Sequence, residues 1–299
     1  MEDVSRNQPP VFDRVGIVGL GLIGGSIALA VRQVWPSVTI VAVDLPSVLE
    51  TAQRAQAIDG GSESLDGLRD ADVVFLAAPV RQNLQILPLL SRRVRPSTII
   101  TDVGSTKRDI VSVADALAGE VTFVAGHPIA GAATGGFASA RADLFRDRPW
   151  LFTPTPRTLP AAVAALSTFA SALGSTPGVM TLQEHDRVFA YVSHLPQLAV
   201  SALMAVAGNA VGAEGLALSG RGLADSTRLA SSPSDIWRDV ALVNADEIGP
   251  ALDAFIRVLQ AMRDDLSTGT QLVDVFADAS KWRDVLMTTL TAAESQAAR

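Results

Sequence analysis

At 299 residues the chain is long enough for about two domains. Nearly half of it is apolar (48%) and 18% is charged, which supports a large core and excludes global disorder. A net charge of −7 lacks the basic footprint of a nucleic-acid partner. The absence of cysteine excludes disulfides, thiolate metal sites and a cysteine nucleophile, and it fits a reducing, cytoplasmic setting.

Met1–Asp13 is polar, carries Pro9-Pro10 and lacks the apolar stretch of a signal peptide; it reads as a short disordered lead. Short β-branched runs then alternate with helical stretches. The strand candidates are Val15–Val18, Val38–Val43, Val73–Ala77, Thr98–Asp102 and Val121–Val124, with crossover helices over Ser26–Gln33 and Val48–Ala57. Near-continuous apolar runs suit parallel strands covered on both faces. A strand around Trp150–Thr153 is expected to close this half. After Thr153-Pro154-Thr155-Pro156 the sequence turns to Ala, Leu and Val at helical spacing, so residues 160 to 295 read as all-helical. The tract Val188–Val211 holds Ser193, His194, Pro196, Gln197, Ser201 and Asn209, too many polar groups for a lipid-facing span. A buried helix is expected there, with a kink at Pro196 and no membrane partner. So much apolar helical surface implies burial between two copies, hence a homodimer.

Gly19-Leu20-Gly21-Leu22-Ile23-Gly24 follows the first strand directly and opens a helix, the context that a dinucleotide fingerprint requires. Gly19 permits the tight turn, Gly21 lets backbone approach a pyrophosphate, and Gly24 allows close helix–strand packing. The N–H groups of Leu22 and Ile23 belong to the helix N-terminus that faces the anion. The second strand ends at Asp44, where a carboxylate accepts from ribose hydroxyls and repels a 2′-phosphate; no arginine follows it. NAD is therefore the expected cofactor. The fold class expected is α/β, a Rossmann-type doubly wound parallel sheet followed by an all-helical C-terminal domain. Residues 1–157 would bind the dinucleotide, and 158–299 would form the helical substrate and dimerisation domain.

Three histidines occur. His127 follows the fifth strand candidate between glycines and a proline, outside the carboxyl ends of the strands where ligands bind in such sheets. Ser105, after the fourth strand of Thr98–Asp102, faces the same crevice and is equally able to cap the helix Lys107–Leu117. His185 and His194 are nine residues apart, which on a regular helix points them to opposite sides, so no metal pair is expected. His194 and Gln197 share a face. For His185 a capping or buried structural role weighs as much as a site role. Arg228, in Asp225-Ser226-Thr227-Arg228-Leu229-Ala230, is either a carboxylate receptor or the partner of Asp225.

These segments together resemble the prephenate/arogenate dehydrogenase family. The residues that carry the resemblance are the glycine turn through Gly25-Ser26, Asp102-Val103-Gly104-Ser105-Thr106-Lys107, Gly126-His127-Pro128-Ile129-Ala130-Gly131, Ser193-His194-Leu195-Pro196, and Asp225 to Ala230 with Trp237. The resemblance implies NAD-dependent oxidative decarboxylation of a prephenate-like cyclohexadienyl acid in tyrosine biosynthesis. His127 would take the proton of the ring hydroxyl, Ser105 would hydrogen-bond that hydroxyl, and Arg228 would bind a substrate carboxylate. His194 and Gln197 would lie on the substrate side. Many members carry a second histidine where this chain has Gln197. A neutral amide neither repels an oxo-acid side chain nor pairs with an ammonium, which leans the reading to prephenate over arogenate or an amino-substituted analogue. The length leaves no room for a fused chorismate mutase or an ACT-type regulatory domain. Two rivals are a β-hydroxyacid dehydrogenase, whose helical-domain lysine has no counterpart in Lys107 or Lys281, and a non-catalytic NAD-binding sensor.

Overall fold

The computed structural model describes residues 9–117, 121–132 and 134–297, so residues 1–8 of the expected lead lie outside the described part. The chain divides into two compact bodies, residues 1–244 and 245–299. In the first, six parallel strands form one sheet: β1 (Arg14–Val18), β2 (Thr39–Val43), β3 (Gly60–Ser62), β4 (Val73–Leu76), β5 (Ile99–Asp102) and β6 (Thr122–Val124). Their order is β3-β2-β1-β4-β5-β6, which reverses direction between β1 and β4 and opens a crevice there.

The period-2 alternation of side chains splits the core into two layers. Val73 and Phe75 of β4 pack with Val15 and Ile17 against α1 (Leu22–Val34) and α2 (Pro46–Arg54). Val74 and Leu76 face the other way, onto α3 (Val80–Ser91) and α4 (Arg108–Ala116). The first layer also takes α5 (Pro160–Ala172), whose Phe169 ring lies 5.1 Å from Phe75 and 5.6 Å from Trp35. Thus α5 lies past the expected division at 157/158 and still packs in the core of the sheet domain.

A second, three-stranded sheet departs from expectation. It comprises β7 (Gly126–Pro128), β8 (Pro149–Phe152) and β9 (Thr176–Val179), with β7 antiparallel and β9 parallel to β8. The strand expected at Trp150–Thr153 therefore does not close the parallel sheet. Trp150 and Phe152 are buried, Trp150 against Phe75 and Phe145, and the strand pairs instead with the segment bearing His127. The region expected to be all-helical contains β9; Thr176-Pro177-Gly178-Val179 carries two residues that strands disfavour, so no strand signal marks it.

A long helical run follows: α6 (Leu182–Phe189), a π-helical turn over Ala190–His194, and α7 (Leu195–Leu216). By length and composition this run could cross a membrane, since it holds an 18-residue stretch with a mean hydropathy of 1.4. It is not the buried helix expected: within α7 only Gln197 is buried, while Leu203, Val206 and Val211 are exposed. Pro196 does not kink a helix interior either. It sits in the first turn of α7, where a missing N–H costs nothing, and the irregularity falls just before it, with Leu195 N–H reaching back to Ala190 O. After α8 (Arg221–Ser226) and a 3₁₀ turn over Arg228–Ser231 comes α9 (Ser234–Val243). The second body holds α10 (Ala245–Asp264) and α11 (Thr270–Ala297); between them Asp265 accepts from Leu272 N at 3.0 Å and from the Thr268 hydroxyl.

Candidate active site

The glycine turn lies at the β1–α1 junction. Gly19 has φ +91°, a left-handed conformation, and a Cβ there would meet backbone of Ala77 and Ala78. A Cβ on Gly24 would stand 1.9 Å from Gly19 O, so the helix can approach the turn this closely only without one. Gly21 is different: nothing lies within 4 Å of its Cβ position, and as cap residue of α1 it offers no side-chain acceptor to the first helical N–H groups. Leu22 and Ile23 follow in that first turn, half-buried against the core. Asp44, at the end of β2, accepts from Leu20 N at 2.5 Å and Leu45 N at 2.6 Å, which holds its carboxylate beside the turn. An open backbone cradle with a carboxylate at its side fits a dinucleotide's pyrophosphate and ribose.

Beyond the ends of β5 and β6 a buried polar cluster forms. Asp102, the last residue of β5, pairs with Lys107, and both side chains are almost wholly buried. The same carboxylate accepts from Gly104 N at 2.9 Å and Gly126 N at 3.2 Å, so the pair fixes the backbone just ahead of His127. His127 Nδ1 lies 2.9 Å from His185 Nε2, and His185 Nδ1 lies 2.8 Å from Asp186 Oδ1. Phe189 packs on both rings, with centroids 4.7 and 4.6 Å away. Among the described residues His127 Nε2 has no protein partner.

Asp186 belongs to α6 yet caps α4: its Oδ1 accepts Lys107 N at 2.8 Å, and its Oδ2 accepts Arg108 N at 3.0 Å and Arg108 Nε at 3.2 Å. Ser105, expected as an alternative cap of that helix, does not serve as one; α4 starts at Arg108 with Lys107 as its cap residue. Ser105 lies half-buried in the β5–α4 loop between Asp102 and Lys107, with no hydrogen bond to His127.

A second chain of bonds has every direction fixed. Arg108 Nη2 donates to Asn244 Oδ1 at 2.9 Å, which orients the amide so that Nδ2 donates to Asp186 O at 3.0 Å and to His194 Nδ1 at 3.1 Å. His194 Nδ1 is therefore an acceptor, and the neutral ring carries its proton on Nε2. That N–H is buried without a protein partner among the described residues, with Trp237 edge-on at 6.1 Å. His185 and His194, expected on opposite sides of a helix, are buried at one site. The π turn between them holds roughly one extra residue and so sets the following helix back by ~100°.

Gln197 is fully engaged: Nε2 donates to Leu229 O at 2.8 Å and Ser201 Oγ at 3.2 Å, while Oε1 accepts from Ser232 Oγ at 3.1 Å. It braces α7 against the turn that carries Arg228. Arg228 itself is exposed, with no ion pair to Asp225 among the described residues. Among the described residues no three His, Asp or Glu side chains are arranged so that they could hold a metal ion together.

Burial holds His127 well below the ordinary imidazole range, and His185, Lys107 and His194 push the same way. Burial lowers His185 too, against the opposing pull of its bond to Asp186. Burial would raise Asp186, but the His185 hydrogen bond and the Arg108 and Lys107 N–H groups outweigh it, so its pKa is lowered. His194 is pushed down by burial to about 4. An imidazole whose pKa is lower folded than unfolded binds fewer protons in the native state, so its stability contribution is lost as pH falls from about 6.5 towards about 4. His194 alone should remove on the order of 2 kcal/mol between about pH 7.5 and about pH 5. Urea denaturation at the two pH values checks this, and an unchanged midpoint contradicts it. Asp186 contributes no loss in that window, because its lowered pKa lies beneath it.

A doubly wound sheet with an open glycine turn, and a buried histidine off its carboxyl edge, is the build of a dehydrogenase of the dinucleotide-binding class. Residues 27–176 match the family model described as prephenate dehydrogenase, nucleotide-binding domain, and residues 181–278 the one described as prephenate dehydrogenase, dimerization domain. The chain belongs to the prephenate dehydrogenase family. It is 33% identical over 282 residues to a prephenate dehydrogenase of Bacillus subtilis, covering 92% of this chain and 76% of that protein. It is 32% identical over 291 residues to a cyclohexadienyl dehydrogenase of Zymomonas mobilis, covering 93% and 97%. Among solved structures it is similar to the A. aeolicus prephenate dehydrogenase in complex with hydroxyphenyl propionate and NAD+, with TM-score 0.84, 29% identity, and 92% and 98% of the two chains covered. It is also similar to Synechocystis arogenate dehydrogenase, with TM-score 0.76, 28% identity, and 91% and 99% covered.

His127, His194 and Gln197 stand out in the sequence, His185 is ambiguous there, and Asp186, Arg108 and Asn244 do not stand out. The adjacent His185-Asp186 pair was a usable signal. Asn244 had none, since its partner Arg108 is 136 residues away.

Proposed function

We propose that this chain is an NAD-dependent prephenate dehydrogenase, converting prephenate to 4-hydroxyphenylpyruvate with loss of CO₂. The observation that carries the reading is His127: buried, held uncharged, tethered through Nδ1, and with Nε2 left without a protein partner among the described residues. A neutral imidazole so placed is a general base for a substrate hydroxyl. NAD, when bound, supplies the hydride acceptor; Gly19, Gly21, Leu22, Ile23, Gly24 and Asp44 would hold its pyrophosphate and ribose. His127 Nε2 would accept the C4 hydroxyl proton as C4 is oxidised. The forming carbonyl and departure of the ring carboxylate as CO₂ leave an aromatic ring.

Ser105, in the loop ahead of Lys107, would hydrogen-bond the same oxygen. Arg228, exposed, would bind a substrate carboxylate bidentately. The buried His194 Nε2–H would donate to a substrate acceptor, which accounts for its having no protein partner among the described residues. Gln197 would stand on the substrate side as a neutral group; its amide, spent on Leu229, Ser201 and Ser232, steadies the Arg228 turn and offers an ammonium no charge, which leans the reading to the oxo acid over arogenate. The exposed apolar side chains of α7 and α11, such as Leu203, Val206, Phe276 and Trp282, together with the dimerization-domain match, support a homodimer. A cytoplasmic setting fits the cysteine-free composition.

Initial rates of NADH formation with prephenate and with arogenate test the assignment. Turnover with prephenate, faster than with arogenate, is expected. A strong arogenate preference would overturn only the argument from Gln197, and turnover with neither would overturn the function.

A further inference from the structure

We propose that Asp186 and His185 form a two-link relay that fixes His127 as its Nδ1–H tautomer, leaving Nε2 bare to act as the base. The inference rests on the reading of His127 as proton acceptor, and it makes His185 and Asp186 positioning residues. Asp186 can only accept, and it already holds N–H donors from Lys107 and Arg108. A carboxylate with that many donors stays ionised. The proton in the 2.8 Å bond to His185 therefore belongs to His185 Nδ1. A neutral His185 then presents a lone pair at Nε2, so in the 2.9 Å bond to His127 the proton sits on His127 Nδ1. With His185 neutral, the sequence of donors and acceptors has one consistent solution, and it ends on an unprotonated His127 Nε2.

The surroundings keep that solution in place. Lys107 and His194 face His127, Lys107 and Asp102 join Asp186 around His185, and a nearby ammonium disfavours a second positive charge on either ring. Phe189 packs on both imidazoles and keeps the bonds dry. When Nε2 takes the substrate proton, the Nδ1–H bond to His185 persists, and the new positive charge is opposed by Asp186 through His185. No further proton need move.

Two readouts test the relay, neither of which a merely structural role would reproduce. Nitrogen-15 NMR of the imidazoles reads the tautomer directly, and with three histidines in the chain single variants assign every signal. His127 is expected to be protonated on Nδ1 and bare on Nε2 at about pH 7.5. Kinetically, His185→Leu should lower kcat by about 10²-fold with KM and NAD affinity little changed, because it removes the acceptor that selects the tautomer. His185→Gln, whose Oε1 can accept from Nδ1–H, should recover about tenfold of that loss. A wild-type His127 protonated on Nε2 overturns the relay even if His185→Leu fails to fold. So does an unchanged kcat in His185→Leu beside an active wild type. A wild type without turnover would instead strike at the proposed function, and the NMR result would still decide the tautomer.

Discussion

Replacing His127 with asparagine is expected to lower kcat by about 10³-fold while the fold and NAD affinity persist. The asparagine amide can stand near the position of Nδ1 and keep a donor towards His185 Nε2, so the buried bond at 2.9 Å has a replacement. What vanishes is the lone pair at Nε2, and an amide nitrogen cannot accept a proton near neutral pH. The glycine turn and Asp44 belong to β1, α1 and β2, elements that make none of the His127 contacts, so dinucleotide affinity should be untouched. Steady-state kcat, set beside NAD binding followed by tryptophan fluorescence, separates the two effects. Equal losses of affinity and turnover would assign His127 a structural role. Wild-type turnover would remove it from the chemistry.

The second large effect concerns stability. Lys107→Met is expected to cost about 3–5 kcal/mol, because it strips the partner from a buried carboxylate rather than removing both charges. Among the described residues Asp102 would keep only the N–H groups of Gly104 and Gly126 as donors. Methionine fills much of the space of the lysine stem, so the loss measures the charge more than a cavity. The double variant Asp102→Asn with Lys107→Met removes the stranded charge and should recover part of the loss. Urea denaturation of the wild type, single and double variants reads both. A cost under about 1 kcal/mol for the single variant would show that the pair is dispensable. Because Asp102 also holds the Gly126 N–H, the folded fraction of the single variant should carry a looser His127.

The parallel sheet was legible because each of its central strands is buried on both faces and therefore written in Val, Ile and Leu. Three short strands escaped: β3, β7 and β9 consist largely of Gly, Pro, Ser, Thr and His, and they persist through pairing with β2 and β8, a long-range effect that local composition does not carry. The glycine turn was legible because backbone geometry restricts the residue at each position. The polar cluster was legible only in part. His127 and His194 stand in distinctive short segments, but the phase that brings His194 to the same site as His185 depends on a π turn that no spacing rule anticipates. Gln197 reads as a pocket residue from the sequence, and its amide proves to be spent on Leu229, Ser201 and Ser232. Likewise α7 looked like a core helix because its apolar content is high. Much of that apolar surface stays uncovered within one chain, as a helix awaiting a second copy would leave it.

A neutral His127 would drive an oxidation coupled to loss of the ring carboxylate, and simultaneous measurement of CO₂ and NADH from prephenate and NAD tests this most directly. Equal amounts of the two, formed at the same rate and lost together in the His127→Asn variant, are predicted. NADH without CO₂, as a simple alcohol oxidation would give, or no NADH at all, would contradict it.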